Sequence, residues 1–67
     1  MKLAIFTEVT RSQNPQPIAI NPAHVIAVCR VGDNHSSIYI DWASDPVIVE
    51  GQHHEIVGVI TTALRDE

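Results

Sequence analysis

Hydrophobic and polar residues alternate over short stretches in the first three quarters of the chain, which is the pattern of β-strands. Clusters of turn-forming residues separate these stretches. The strands predicted from the pattern are residues 3–9, 18–20, 25–31, 38–42 and 47–49. The last three are joined by two short turn clusters, so they predict a three-stranded antiparallel meander.

Residues 25–31 form the most apolar of these stretches, interrupted only by Arg30. Both faces of this strand are apolar, and strands of that kind usually lie in the centre of a sheet. We therefore predict that 25–31 is a central, buried strand. Cys29 is predicted to be a small buried core residue within it.

Two proline-containing segments interrupt the first part of the chain. Residues 11–17 are polar and contain two prolines, so they predict a flexible loop. Asn21-Pro22 ends the strand before it, because proline has no N–H for the strand ladder. Alternatively, Asn21 caps a single helical turn that has Pro22 at its first position.

The periodicity changes from two to about 3.6 residues after Gly51. The apolar face of the predicted helix consists of Ile56, Val59, Ile60 and Ala63, with Leu64 beside them. Glu55 near its start and Arg65 near its end suit the helix macrodipole. A strand over 56–62 is the alternative, because several residues there are β-branched and Gly58 disfavours a helix interior. We predict the helix, since periodicity usually outweighs single-residue propensity.

These elements predict one domain, residues 1–67, of the α+β class. It consists of a small antiparallel β-sheet of four to five strands, curled or closed into a small barrel, with one C-terminal α-helix packed on it. One helix covers only one face of a sheet. A central strand with two apolar faces therefore indicates self-association, which would cover the second face.

Composition and charge narrow the functional classes. The chain of 67 residues has eight acidic and four basic residues, and its net charge is −4. Its cations are scattered rather than clustered: Lys2, Arg11, Arg30 and Arg65. Binding to nucleic acid or to an anionic membrane requires clustered cations, so neither is predicted. No apolar run approaches the ~20 residues of a membrane span. The single cysteine suits a reducing compartment, which predicts a cytoplasmic protein.

The histidines do not predict a metal site. His53 and His54 are adjacent, and neighbouring residues on a helix point about 100° apart, so they would chelate one ion poorly. His24 and Cys29 are five residues apart beside one strand, where alternation places them on opposite faces. We therefore expect neither a metal nor a cofactor.

Catalytic motifs are also missing from the sequence. The acidic residues at the turns and the helix start are interpreted as a solvated rim, since acid–base catalysis needs a cleft and a shifted pKa. Ser36-Ser37 lacks the flanking glycines of a nucleophile elbow. The three glycines do not form a phosphate-binding loop. The sequence therefore predicts that the protein is not an enzyme.

The aromatic residues Tyr39 and Trp42 are the candidate interaction residues. Alternation places Trp42 on the same face as Ile38 and Ile40, which are predicted to point into the core. Tyr39 then points outward from a strand in the sheet. Exposed aromatic side chains are enriched among the residues that dominate interface energetics.

The stretch from Ile18 to Val28, with its Ile-Asn-Pro step, resembles short flagellar-operon proteins of the FlbD type. The resemblance extends over about residues 18–64 and includes the strand-to-helix ending after Val47. It implies a β-meander followed by a helix, and it transfers no functional residue. The order of elements also resembles the DNA-binding LytTR-type domain, but the acidic charge argues against that activity.

The leading hypothesis is a non-enzymatic interaction module that forms homo-oligomers, with an accessory or regulatory role and a bacterial or mobile-element origin. It would act through self-association or on another protein. One alternative is a small-ligand or metal-binding protein with His24, His53, His54 and Tyr39 at a subunit interface. A second is a nucleic-acid-binding regulator, which would need an oligomeric surface that gathers the four cations.

Overall fold

The computed structural model describes residues 2–9 and 14–65. Its strands are β1 Ala4–Glu8, β2 Gln16–Ile20, β3 Val25–Val31, β4 His35–Ile40 and β5 Val47–Glu50, and its helix is α1 His53–Arg65. A 3₁₀ turn, Pro22–His24, precedes β3. This is the predicted α+β fold, and the sheet is open rather than closed into a barrel.

The five strands form one antiparallel sheet in the order β2-β1-β5-β4-β3. The predicted meander is confirmed as β3, β4 and β5, and β1 and β2 pair with each other. The two groups of strands are joined where Glu8 pairs with Val49. Beside that pair, the N–H of Val9 donates to the carbonyl of Ile48 at 2.9 Å.

The boundaries near the predicted loop 11–17 differ from the sequence prediction. Residues 11–13 of that loop lie outside the described residues. Gln16 and Pro17 belong to β2, in which Pro17 pairs with Thr7.

At Asn21 the chain forms the single helical turn that was the alternative prediction. The Asn21 side chain accepts a hydrogen bond from the Ala23 N–H at 3.0 Å, and proline follows at the first position.

The prediction that 25–31 is a central, buried strand is wrong. β3 lies at one edge of the sheet, and only Val25 and Val28 are half-buried. Ile26 is 68% exposed at a bulge in the pairing with β4. The two apolar faces of β3 are therefore not both covered by other described parts of the chain. The apolar character of a strand shows only that its surface could be buried. Its position in the sheet depends on which strands, far apart in sequence, pair with each other.

The helix covers one face of the sheet. The helix prediction is confirmed over 56–62, and Ile56, Ile60 and Ala63 are buried as predicted. Val59 and Leu64, which were placed on the same face, are 44% and 47% exposed. The buried apolar residues of the core are Ala4, Phe6, Ile20, Ile38, Ile40, Val49, Ile56, Ile60 and Ala63.

Gly51 makes the sharp turn from β5 into the helix. Its φ of +126° is a conformation that residues with a side chain rarely adopt. The N–H of Gly51 donates to the carbonyl of Asn34 at 2.8 Å, and its own carbonyl accepts from Ser36 Oγ at 3.1 Å. A Cβ at Gly51 would lie 2.8 Å from Ile56 Cδ1. The turn therefore places Ile56 directly over the sheet.

Candidate interaction site

The strand register separates the side chains of the sheet into two faces. Residues such as Phe6, Ile38 and Val49 point toward α1 and form the core with it. Residues between them in sequence point the other way, because successive side chains alternate across a strand. We call this second side the open face, and its residues are Ile5, Thr7, Pro17, Ala19, Ala27, Cys29, Val31, His35, Ser37, Tyr39, Ile48 and Glu50.

The open face is apolar and accessible at its periphery. Ile5 is 59% exposed on β1, and Tyr39 is 38% exposed on β4. In the centre, Ser37 is flanked in register by Cys29 and Ile48 and is only 4% exposed. Its hydroxyl donates to the carbonyl of Cys29 at 3.5 Å. The centre of the open face therefore offers apolar surface without an unsatisfied polar group.

Within the described part of the chain, α1 is the only α-helix, and it packs on the opposite side of the sheet. Among the elements that the structure describes, no helix covers the open face. A sheet face rich in Ile, Val, Ala and Tyr gains free energy when it is removed from water.

Tyr39 has the orientation that alternation predicts. Its neighbours Ile38 and Ile40 are buried, and its own side chain lies on the open face opposite Ala27. Together with Ile26 and the 43–46 turn it also lines a shallow cavity of about 310 Å³. The participation of Tyr39 in an interaction stays a prediction.

Trp42 does not point into the core, contrary to the shared face predicted for Ile38, Ile40 and Trp42. β4 ends at Ile40, and Trp42 lies in the turn that follows, where the Ala43 N–H donates to the Ile40 carbonyl at 3.1 Å. The chain therefore leaves the strand conformation before alternation can apply to Trp42. Its side chain is 73% exposed.

The histidines have separate partners. His24 Nδ1 lies 3.1 Å from Asp41 Oδ2. His53 Nε2 lies 3.0 Å from the carbonyl oxygen of Val28, at the outer edge of β3. Among residues 2–9 and 14–65, no three His, Cys, Asp or Glu side chains lie close enough together to hold a metal ion. The contact of His53 with β3 had no signal in the sequence, because 25 residues separate His53 from Val28.

Cys29 is exposed rather than buried in the core as predicted. The reason is the position of β3 at the sheet edge. Cys29 lines a cleft of about 730 Å³ between β3 and the start of α1, with Arg30, His53 and His54 among the other lining residues. Arg30 is directed to the neighbouring hairpin turn, where its guanidinium donates to Asp33 Oδ1 at 2.8 Å and to the Gly32 carbonyl at 2.9 Å.

A second apolar groove runs between β1 and α1. Its volume is about 480 Å³, and Leu3, Ile5, Gly58 and Val59 are among its lining residues. Beside this groove the first residues of β1 lack a neighbouring strand on the β5 side, because β5 pairs with β1 only at Glu8. The Lys2 N–H donates to the Ala63 carbonyl at 3.0 Å and joins the two elements that line the groove.

Comparison with known proteins adds no relative: no family model, curated protein or solved structure matches the chain significantly. The resemblance to FlbD-type proteins therefore stays a prediction. None of the helices in residues 2–9 and 14–65 has both the length and the apolar character of a membrane span.

Proposed function

We propose that this protein is a non-enzymatic interaction module that works as a homo-oligomer in an accessory or regulatory role. The observation that carries the proposal is the open face, on which apolar side chains of all five strands lie without a covering helix among the described elements. A monomer in water would keep that surface hydrated. Association removes it from water and so stabilises the assembled form.

The size of the core supports the same proposal. Among residues 2–9 and 14–65, nine apolar side chains are buried, and two of them are the small residues Ala4 and Ala63. Domains of this size bury a smaller fraction of their surface than larger ones do, and oligomerisation is one of the usual ways in which they gain stability. The single unpaired thiol of Cys29 suits the reducing environment of the cytoplasm. The resemblance to FlbD-type proteins favours a bacterial origin.

The experiment that tests the proposal is the solution mass, measured by light scattering behind size exclusion over a wide range of protein concentrations. We expect a multiple of the chain mass of 7.4 kDa, with dissociation only on dilution. A mass of 7.4 kDa at every concentration would contradict the homo-oligomer. Retention of an unrelated control protein of similar mass calibrates the column.

A further inference from the structure

The proposed homo-oligomer can form in two ways, by pairing of sheet edges or by packing of sheet faces. Which of the two surfaces forms the contact is a question that rests on the proposed function. The sheet has two edges, β2 and β3, and each has features that hinder the addition of another strand.

The β2 edge lacks one hydrogen-bond donor. The bond from Val9 to Ile48 shows that odd-numbered residues of β1 direct their backbone toward β5, so even-numbered residues bond to β2. Pro17, the register partner of Thr7, therefore has its backbone on the outer side of β2. Proline has no N–H, and natural sheets use it to prevent pairing at edges.

In the middle of the β3 edge, a backbone carbonyl is already hydrogen-bonded to the first residue of the helix. The carbonyl of Val28 points away from β4 and accepts a hydrogen bond from His53 Nε2 at 3.0 Å. A bulge between Val25 and Ala27 interrupts the regular strand further along. A strand that added here would have to displace the first residue of α1. Bulges and covering helices are the devices with which proteins protect sheet edges.

The open face, by contrast, extends over all five described strands. The molecule measures 35 × 24 × 19 Å, and each partner in a standard protein–protein interface buries ~800 Å². On so small a molecule, an interface of that size needs a surface that extends across the whole sheet. The largest exposed side chains on this face are Ile5 on β1 and Tyr39 on β4. A partner that covers both side chains would contact the β1–β2 pair as well as the β3–β4–β5 meander.

The charges also fit self-association. In a two-fold dimer each surface patch meets its own copy, so a cluster of like charges would repel itself. The net charge is −4, yet the open face carries one carboxylate, Glu50, in register with His35. The remaining described acidic residues lie in turns, on the helix or on the opposite side of the sheet: Glu8, Asp33, Asp41, Asp45 and Glu55.

We propose that the occupant of the open face is a second copy of this chain, packed face to face in a two-fold dimer. The dimer is a four-layer assembly of helix, sheet, sheet and helix, and the two sheets contact each other through Ile5, Tyr39 and Ile48. Tyr39 is the aromatic anchor of the interface.

The test compares four single variants by light scattering and analytical ultracentrifugation. Ile5→Lys and Tyr39→Lys each place a charge on the open face. Trp42→Lys and Val57→Lys place the same charge on exposed apolar positions outside it, in the turn after β4 and on α1. We expect the two open-face variants to raise the dimer dissociation constant about 30-fold or more, as hot-spot substitutions do. The two controls keep the wild-type value.

The possible outcomes distinguish a wrong interface from a wrong proposed function. An oligomeric wild type that is dissociated by Trp42→Lys or Val57→Lys, and not by the open-face variants, overturns the open face and leaves the proposed function standing. A wild type that is monomeric at all concentrations overturns both. Far-ultraviolet circular dichroism checks that each variant is folded.

A measurement on the unmodified protein covers the case in which a variant fails to fold. Cys29 lies on the open face, so its thiol becomes less accessible in the dimer. We expect its reaction rate with a chromogenic aromatic disulfide to fall as protein concentration rises through the dimer transition. A rate that is unchanged through that transition would overturn the face-to-face dimer.

Discussion

His53 Nε2 and the carbonyl oxygen of Val28 are 3.0 Å apart, so the first residue of the helix contacts the outer edge of β3. The contact satisfies an edge carbonyl that would otherwise be open to another strand. It also fixes the start of α1 against the sheet. His53, for which the sequence suggests only a ligand-binding role, thus has a structural position at the β3 edge of the sheet.

Replacement of His53 by alanine should expose that edge. We expect a loss of about 1 kcal/mol in the free energy of unfolding, the usual net contribution of one hydrogen bond. We also expect formation of larger species on storage, because an unprotected edge is able to pair with other chains. Urea unfolding and light scattering measure the two effects. His54→Ala is the matched control, since His54 is also exposed and adjacent on the helix; equal behaviour of the two variants would contradict the protective contact.

Gly51→Ala should destabilise the protein by about 2 kcal/mol. The backbone at Gly51 has a φ of +126°, and an added Cβ would lie 2.8 Å from Ile56 Cδ1. Both the backbone strain and the displacement of a buried side chain contribute to this cost. Urea unfolding monitored by circular dichroism gives the value.

Gly58→Ala is the matched substitution with the opposite expected sign. Gly58 lies within α1, and an added Cβ would meet no atom within 4 Å. Alanine is favoured over glycine in a helix interior by about 1 kcal/mol, so the free energy of unfolding should rise by about that amount. Stabilisation by both variants would show that the turn at Gly51 is not constrained as described, whereas destabilisation by Gly58→Ala would show that the helix does not tolerate a side chain at that position.

Ile60→Asp should unfold the protein. Ile60 is buried between the helix and the sheet, and a buried carboxylate without a partner costs several kcal/mol, comparable with the whole stability of a domain of this size. Val59→Asp adds the same charge at the neighbouring position, which is 44% exposed, and should cost much less. Thermal melting separates the two. A wild-type melting curve for Ile60→Asp would refute the buried face of the helix.

Chromatography on heparin tests the nucleic-acid alternative. Arg30 is hydrogen-bonded to Asp33, so part of its charge is compensated locally. With a net charge of −4, we expect the protein to pass through the column at low salt. Salt-dependent retention would instead indicate that association gathers the scattered cations into one patch. A basic protein of similar size serves as the positive control.

The sequence is sufficient to predict the elements of this fold and the β3–β4–β5 meander, but not the order of all five described strands in the sheet. The helix with Ile56 and Ile60 on its buried face, and the outward orientation of Tyr39, follow from local periodicity alone. The edge position of β3 does not, because it depends on the pairing of Glu8 with Val49, two residues far apart in the chain. The exposure of Cys29 follows from that position and was mispredicted for the same reason.

The composition of the open face could not be predicted either. Its members come from five strands, and their alignment requires the register of every pair. Alternation predicts the outward orientation of Tyr39 from its own strand, whereas only the register places Tyr39 and Ile5 on one surface. Trp42 illustrates a different limit, since a strand that ends two residues earlier than expected removes a side chain from its predicted face.

The joining of β1 to β5 through the single register pair Glu8–Val49 has a consequence for how the native state fluctuates. Within the β1–β2 hairpin and within the β3–β4–β5 meander, each strand pairs with its neighbour in sequence over several residues. The junction between these two groups, which we call the seam, has only one register pair. α1 packs on both sides of the seam, through Phe6 on one side and Ile38 on the other. We therefore expect partial unfolding to begin with separation at this seam, where few hydrogen bonds must break, and amide protons beside it to exchange with solvent sooner than those within β4.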